Sequence, residues 1–273
     1  AFFGNAWWVG PSAYFVGIAA IVCSGIILKK TRLFAGDPAP FVMELPADHM
    51  PTLSNVLRSM WERGWSFIKK AGTVILLSTI VIWFTSTYGI VNGSFTAVED
   101  LNQSFMAVIG QSFAWIFAPL GFGDWKAAVA SINGLVAKEN LVSTFGVLFG
   151  FAEVAEDGAE YWDLLRSSMS LAAGYSFLVF NLLCAPCFAA IGAIKREMNN
   201  TRWTLIAVGY QTVFAYAVSL CVYQFGTLLT GGGFGIGTIA AVAVAAGFLW
   251  LLTRPDPQKK KTVKVTGSPV AAD

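Results

Sequence analysis

The sequence predicts an all-α fold: a polytopic helical membrane protein with about seven transmembrane helices, one of them broken, and one interfacial amphipathic helix. Three observations carry that reading. Of the 273 residues 56% are hydrophobic and 12% charged, with a mean hydropathy of +0.62, whereas a soluble globular chain carries about twice that charged fraction. Apolar runs of about 18 or more residues, the length that spans a bilayer as a helix, recur along the chain. The 10 Trp and 22 Phe suit a chain with two membrane interfaces to anchor.

Composition also excludes some classes. A net charge of +2 makes no case for a nucleic-acid partner. The four cysteines, Cys23, Cys184, Cys187 and Cys221, all lie in apolar runs, unlike the disulfide framework of a small secreted domain. His49 is the single histidine, so a histidine-rich metal cage cannot be built within this chain. The start at Ala1, inside an apolar run and without a charged leader, does not read as a signal peptide and suggests a piece of a longer membrane protein.

Taken in order, residues 1–28 form a transmembrane helix that ends a preceding membrane unit, with its span at 7–28. Residues 29–70 form a linker holding Lys29, Lys30, Arg32, Arg58, Arg63, Lys69 and Lys70. That excess of positive charge places it in the cytoplasm. Within it, Pro51 suits a first helical turn. Leu53, Leu57, Met60, Trp61, Gly64 and Ile68 recur at helical spacing, with Ser54, Arg58, Glu62 and Lys69 on the other side. Such a helix suits the membrane interface; packing on a neighbouring soluble domain is the alternative.

Residues 71–252 form the main membrane unit, with spans at 71–90, 127–150, 170–194, 203–229 and 235–252. A shorter run at 104–120 ends near Pro119 and crosses, re-enters or lies at the surface. The acidic connection 89–103 faces outside. Only if 104–120 crosses do the basic "KREMNNTR" and "RPDPQKKKTVK" reach the cytoplasm, so charge favours seven crossings. The stretch "GGGFGIG" reads as a tight external turn. Residues 253–273, rich in Lys and Pro, read as a disordered cytoplasmic tail.

Two motifs could carry chemistry. In "GLVAKENLVSTFGVLFG", Lys138 and Glu139 fall near the middle of a span, where a charge costs several kcal/mol unless paired or hydrated. Helical neighbours point about 100° apart, so each needs a partner elsewhere, a water-filled cavity or a broken helix. Glu139, Ser143, Gly146 and Gly150 share a small, polar helical face. A buried ion pair that fixes packing is the plain alternative.

The second motif is "NLLCAPCFAAIGAIKREM". Asn181, Cys184 and Cys187 are spaced by three. Pro186 removes a donor and frees the carbonyl of Leu182. A broken membrane helix is tolerated only where protein buries it or it lines a cavity. Thiolate, amide oxygen and freed carbonyls suit a transition metal of borderline softness such as Fe(II). Packing residues in a kinked helix and a redox dithiol are the alternatives. A quieter stripe, Thr212, Tyr216, Ser219 and Tyr223 with Gln211 and Gln224 nearby, either lines a pathway or hydrogen-bonds helices together.

Three stretches in order, "PFVMELPADHMPTLSNVLRSMWERGWSFIKKAG", "GLVAKENLVSTFGVLFG" and "CAPCFAAIGAIKREM", resemble the C-terminal membrane region of the ferrous iron transport protein B family. The resemblance covers nearly all of the chain, thinning in 89–104, 151–165 and the tail. It implies a multi-pass protein of the bacterial inner membrane that moves Fe(II), with a cytoplasmic GTPase domain and a first Gate region earlier in the full-length protein. GTP hydrolysis would belong there, so this chain is expected to be no enzyme and to hold no cofactor, with Fe(II) as cargo. Cys184 and Cys187 match the family's Gate cysteines. The expected metal contacts are Cys184, Cys187 and Glu139, with Asn181, Ser143, Lys138, Thr212 and Tyr216 lining the path. Expected partners are the GTPase and first Gate region, a small cytoplasmic accessory protein and the bilayer, with a homo-oligomer left open. The competing readings are a membrane dithiol oxidoreductase, a Gate-type transporter of an organic solute such as a nucleoside, and a structural membrane subunit.

Overall fold

The computed structural model describes residues 7–31, 52–91, 93–98, 100–134, 138, 141–151 and 159–255. His49, Glu139 and the tail beyond Pro255 therefore lie outside the described residues. The first helix, α1 (Val9–Lys29), is apolar throughout and ends with Lys29 in its last turn, where a cation suits the helix dipole. The second, α2 (Leu53–Thr87), is one continuous helix of 35 residues. It joins what sequence separates into an amphipathic linker helix and a span. Lys69, Lys70, Ala71 and Gly72 at the expected boundary include no proline, and one glycine costs a helix only about 1 kcal/mol.

After Thr87 the chain forms an antiparallel hairpin, β1 (Tyr88–Val91) and β2 (Ser94–Ala97). Gly93, at φ +80°, supplies the left-handed backbone of its turn, and Tyr88 stacks on Phe95 at 5.1 Å. The hairpin is the one departure from an all-α chain among the described residues. Next comes α3 (Phe105–Phe117), whose first turn is capped by the Ser104 hydroxyl accepting from Ala107 N–H at 3.2 Å. A 3-10 turn with Pro119 extends it to Leu120. Gly121, at φ +88°, then turns the chain against Tyr223, where a Cβ would lie only 2.1 Å from the ring.

From that turn α4 (Trp125–Gly134) leaves at 93° to the Phe105–Leu120 segment. Within the expected span at 127–150 the described helices are α4 and α5 (Leu141–Leu148), and between them only Lys138 is described. Then follow α6 (Trp162–Ser168), α7 (Leu171–Leu183) and α8 (Phe188–Met198). The α7–α8 break falls at Cys184–Cys187, where Pro186 led sequence to expect it. Asn199 in the left-handed region ends α8, and Asn200 caps α9 (Thr201–Leu229) by accepting from Arg202 and Trp203. The last helix is α10 (Ile236–Thr253).

Among the described residues α1, α9 and α10 are long and apolar enough to cross a membrane, with the bent α3–α4 pair a possible fourth. They leave apolar side chains bare, Ile21 at 73% exposure and Ile239 at 61%, as lipid-facing helices do. With the family matches given below, the chain is a multi-pass membrane protein. The seven crossings expected from charge are not resolved by this count.

The core gathers where the broken helices meet. Phe117 and Phe122 stack at 5.4 Å, Phe180 meets Phe117 edge-on at 5.4 Å, and Phe177 bridges Phe122 and Phe145 at 5.2 and 5.5 Å. This aromatic cluster ties α3, α5 and α7 into one block, and Cys184 lies in it. Beside it α7 and α9 pack along their lengths, while α1 docks by Ser12–Tyr175 (3.0 Å) and Ser24–Tyr210 (2.8 Å). The long α2 packs against α3 and α8.

Candidate functional site

The α7–α8 break meets a lysine from the stretch between α4 and α5. At the end of α7, Cys184 adopts an extended backbone (ψ 171°), so the helical ladder stops after Cys184 N–H reaches Phe180 C=O at 2.8 Å. The carbonyls of the last turn are then orphaned. Lys138, in the stretch between α4 and α5, supplies the missing donor. Its Nζ donates to Asn181 C=O at 2.6 Å and Cys184 C=O at 3.4 Å. A cation here is also favoured by the negative end of the α7 dipole. The carbonyls engaged are thus those of Asn181 and Cys184, rather than the Leu182 carbonyl that proline chemistry alone singles out.

Asn181 is 6% exposed. Its Nδ2 donates to Phe177 C=O at 2.9 Å, but its Oδ1 is buried with no partner. That oxygen faces the end of α4, where a Cβ on Gly134 would sit 3.2 Å from it. Glycine at 134 is what allows this close approach. Cys184 is 5% exposed, with Sγ 3.5 Å from Asn181 C=O and 3.7 Å from Ala185 C=O. Cys187 is half-buried and caps the start of α8, at the positive end of that helix's dipole. The break thus brings Asn181, Cys184 and Lys138 together, with Cys187 on its far rim.

Other expected residues fall elsewhere. Ser143 is exposed, and α5 turns Thr144, Phe145 and Leu148 inward instead. Of the expected face, Glu139 lies outside the described residues, Ser143 and Gly146 belong to α5, and Gly150, at φ +88°, lies beyond that helix. Thr212 is exposed, its hydroxyl bonded to Val208 C=O of its own helix at 2.9 Å. Tyr216 donates to Ile116 C=O at 2.7 Å, tying α9 to α3. Gln224 donates to Pro119 C=O at 3.0 Å, and Ser219 pairs with Ser176 at 2.7 Å. Of the α9 stripe, Tyr216, Ser219 and Gln224 thus bond across helices, whereas Thr212 bonds within its own and Gln211 Oε1 is buried without a partner.

Sequence reasoning missed two residues of this region. Asn133 donates from Nδ2 to Thr144 Oγ1, clasping α4 to α5. Two amide and hydroxyl side chains 11 residues apart in an otherwise apolar run were the available signal. Among the described residues no three His, Cys, Asp or Glu side chains come together as a metal cage. The donor set here is sparse: one amide oxygen, one buried thiol and backbone carbonyls.

Comparison with known proteins agrees with the order of motifs. Residues 11–63 match the family described as ferrous iron transport protein B C terminus, and residues 68–201 match the Gate family, described as nucleoside recognition. The chain belongs to the ferrous iron transport protein B family. It corresponds to that family's C-terminal membrane region. The Fe(2+) transporter FeoB of Methanocaldococcus jannaschii is 33% identical over 222 residues, which cover 80% of this chain and 32% of that protein. The Fe(2+) transporter FeoB of Staphylococcus aureus (strain COL) is 33% identical over 217 residues, 80% of this chain and 31% of its own. An Fe(2+) transport protein A/Fe(2+) transporter FeoB fusion protein of Porphyromonas gingivalis is 31% identical over 255 residues, 79% of this chain and 30% of its own. The chain spans about a third of the length of the curated relatives it matches. No solved structure matches it.

Proposed function

We propose that this chain forms the ion-passing membrane part of a ferrous iron transporter, with the α7–α8 break as the place where Fe(II) is handed through. The observation that supports this reading most is Asn181: a buried amide oxygen without a partner, beside the buried Cys184 thiol and the carbonyls at the end of α7. A thiol and oxygens replace part of the ion's hydration shell, and a borderline-soft ion gains more from the sulfur than a hard one does. Few protein ligands keep the site weak enough to release its cargo. Cys187 serves as a second contact, and Glu139 as an acceptor that keeps a divalent cation favourable.

In this reading the segment 29–70 and the tail face the cytoplasm, as their Lys and Arg excess suggests, and iron moves inward. Labelling of cysteines placed at Ser54 and Ser268 from the same side of the membrane is the expected result; labelling from opposite sides refutes the arrangement. A GTPase domain and a first Gate region elsewhere in the full-length protein gate or power the movement. The name of the Porphyromonas fusion protein supports a small transport protein A as partner.

Transport of an organic solute is less well supported. A cavity of about 280 Å³ between α2, α3 and α4 is lined by Leu77, Val81, Ile109 and Ile132, with Thr85 and Asn133 as its polar groups. A nucleoside would leave most of its hydroxyls and ring nitrogens without partners there.

The test is anaerobic Fe(II) uptake by the full-length protein in GTP-loaded proteoliposomes. Cys184→Ser keeps the size and loses the soft ligand, and uptake falls about tenfold, the scale seen on disturbing a metal site, while the protein stays folded. Cys23→Ser, in α1, leaves uptake as it was. Equal effects of the two changes would return Cys184 to packing. A dithiol oxidoreductase would lose its chemistry equally on replacing Cys184 or Cys187, whereas ion passage depends more on Cys184.

A further inference from the structure

We propose that Lys138 is the specificity-determining residue of this path: a tethered cation that holds the carbonyl end of α7 against monovalent ions and yields it to a divalent one. The inference rests on reading the break as the ion path.

Three observations lead to it. The Lys138 ammonium already occupies the position a passing cation would take, 2.6 Å from Asn181 C=O and 3.4 Å from Cys184 C=O. One donor of the break is left unused by it: Asn181 Oδ1 has no partner, while Cys184 Sγ lies by backbone carbonyls and within hydrogen-bond reach of the same ammonium. And Lys138 belongs to the stretch between α4 and α5, not to α7, so it can leave without unwinding α7.

The competition then follows from charge. A sodium or potassium ion offers these carbonyls the same single charge as the ammonium. It must give up water to enter and must displace a competitor that, being tethered, stands at high effective concentration. Nothing favours the exchange. A divalent ion interacts with each carbonyl dipole about twice as strongly at the same distance. It also gains the amide oxygen that the ammonium leaves idle, and a borderline-soft ion binds the sulfur better than an ammonium does. Lys138 thus sets a threshold in charge, and Cys184 adds a preference in softness.

A lysine that merely capped α7 would be replaceable by any side chain donating hydrogen bonds. The decisive measurement uses the full-length protein in proteoliposomes, with rubidium flux and anaerobic Fe(II) uptake read on the same preparations. Lys138→Gln keeps donors and loses the charge; Lys138→Arg keeps both. Rubidium flux rises at least about tenfold in Lys138→Gln, the size of shift expected when a favoured competitor is removed from a two-state site, and stays at the parent level in Lys138→Arg. Unchanged rubidium flux in Lys138→Gln, or equal leaks in both variants, overturns the inference. Cys184→Ser in the same assay separates the two readings. If Cys184→Ser loses Fe(II) uptake while Lys138→Gln remains tight to rubidium, the path stands and the lysine's role falls. If Cys184→Ser takes up Fe(II) normally, the path itself is wrong.

Should Lys138→Gln fail to fold, the unsubstituted protein decides. Reductive methylation of Lys138, read by mass spectrometry, increases severalfold when Fe(II) is added and the ammonium is released from the carbonyls. Methylation that Fe(II) leaves unchanged or lowers overturns the proposal.

Discussion

Along α9, Tyr216, Ser219 and Gln224 each end on a partner across a helix boundary, whereas at the break between α7 and α8 Asn181 keeps an amide oxygen with no partner at all. Both regions put polar groups inside an apolar bundle, and α7 belongs to both. Near its middle, Ser176 and Ser219 are fully buried and bond each other and each other's carbonyls at 2.7 to 3.0 Å. Two small hydroxyls let α7 and α9 approach closely and satisfy one another, as in many membrane helix pairs. About two turns further on, the helix ends at Leu183 and its polar groups turn to a lysine from elsewhere in the chain. The difference teaches where an open lone pair matters: Gln211 on α9 also keeps a buried oxygen without a partner, but inside an intact helix, whereas at Asn181 the open oxygen coincides with the end of the ladder.

That contrast can be broken or sharpened by substitution. The largest effect is expected at Asn181. Asn181→Ala removes the open oxygen and lowers Fe(II) uptake by the full-length protein roughly tenfold, the scale for losing a group that holds a metal or its ligand. Uptake equal to that of the parent protein would erase the distinction drawn above. Ser219→Ala acts on the other side of the comparison. It removes one interhelical pair, for which about 0.6 to 1.7 kcal/mol is measured between membrane helices, and the unfolding midpoint in detergent drops accordingly while uptake persists. A loss of uptake larger than the loss of folded protein would mean that the α7–α9 contact does more than hold. The smallest effect belongs to Ser24→Ala, which deletes the half-buried bond to Tyr210. It costs at most about 0.6 kcal/mol, seen as a slight shift in the same unfolding curve. A shift as large as that of Ser219→Ala would show α1 to be an integral wall of the bundle.

How much of this was legible before the structure depends on the residue. Pro186 announced the α7–α8 break because proline acts locally: it lacks the donor that an unbroken helix would need. The stretch between α4 and α5 has no proline, and its sign was energetic, two charges in the middle of an apolar run. From the sequence that sign left a gap, a cavity and a distant partner equally open. The partner of Lys138 lies 43 to 46 residues away, a separation that no periodicity encodes. The misplaced face at Ser143 has a related cause. Counting by 3.6 assumes one helix, and α5 is a separate helix of eight residues. The hairpin after α2 was overlooked although an Asn-Gly pair stands at 92–93, a strong short-range hairpin signal; the apolar run ending at Ile90 hid it. The family, by contrast, was legible from three motifs in order, because family resemblance does not depend on knowing where helices stop.

One feature of the fold carries a mechanical consequence. With 35 residues at about 1.5 Å each, α2 is roughly 52 Å long, against a hydrocarbon layer of about 30 Å. About 20 Å of that length therefore lies outside any hydrocarbon layer the helix enters. Its far end passes directly into the β1–β2 hairpin, and along the way it touches α3 and α8. An unbroken hydrogen-bond ladder transmits a tilt where a flexible joint would absorb it. Whatever swings the Leu53 end of α2 leans on α8, and α8 is the downstream wall of the break at Cys184–Cys187.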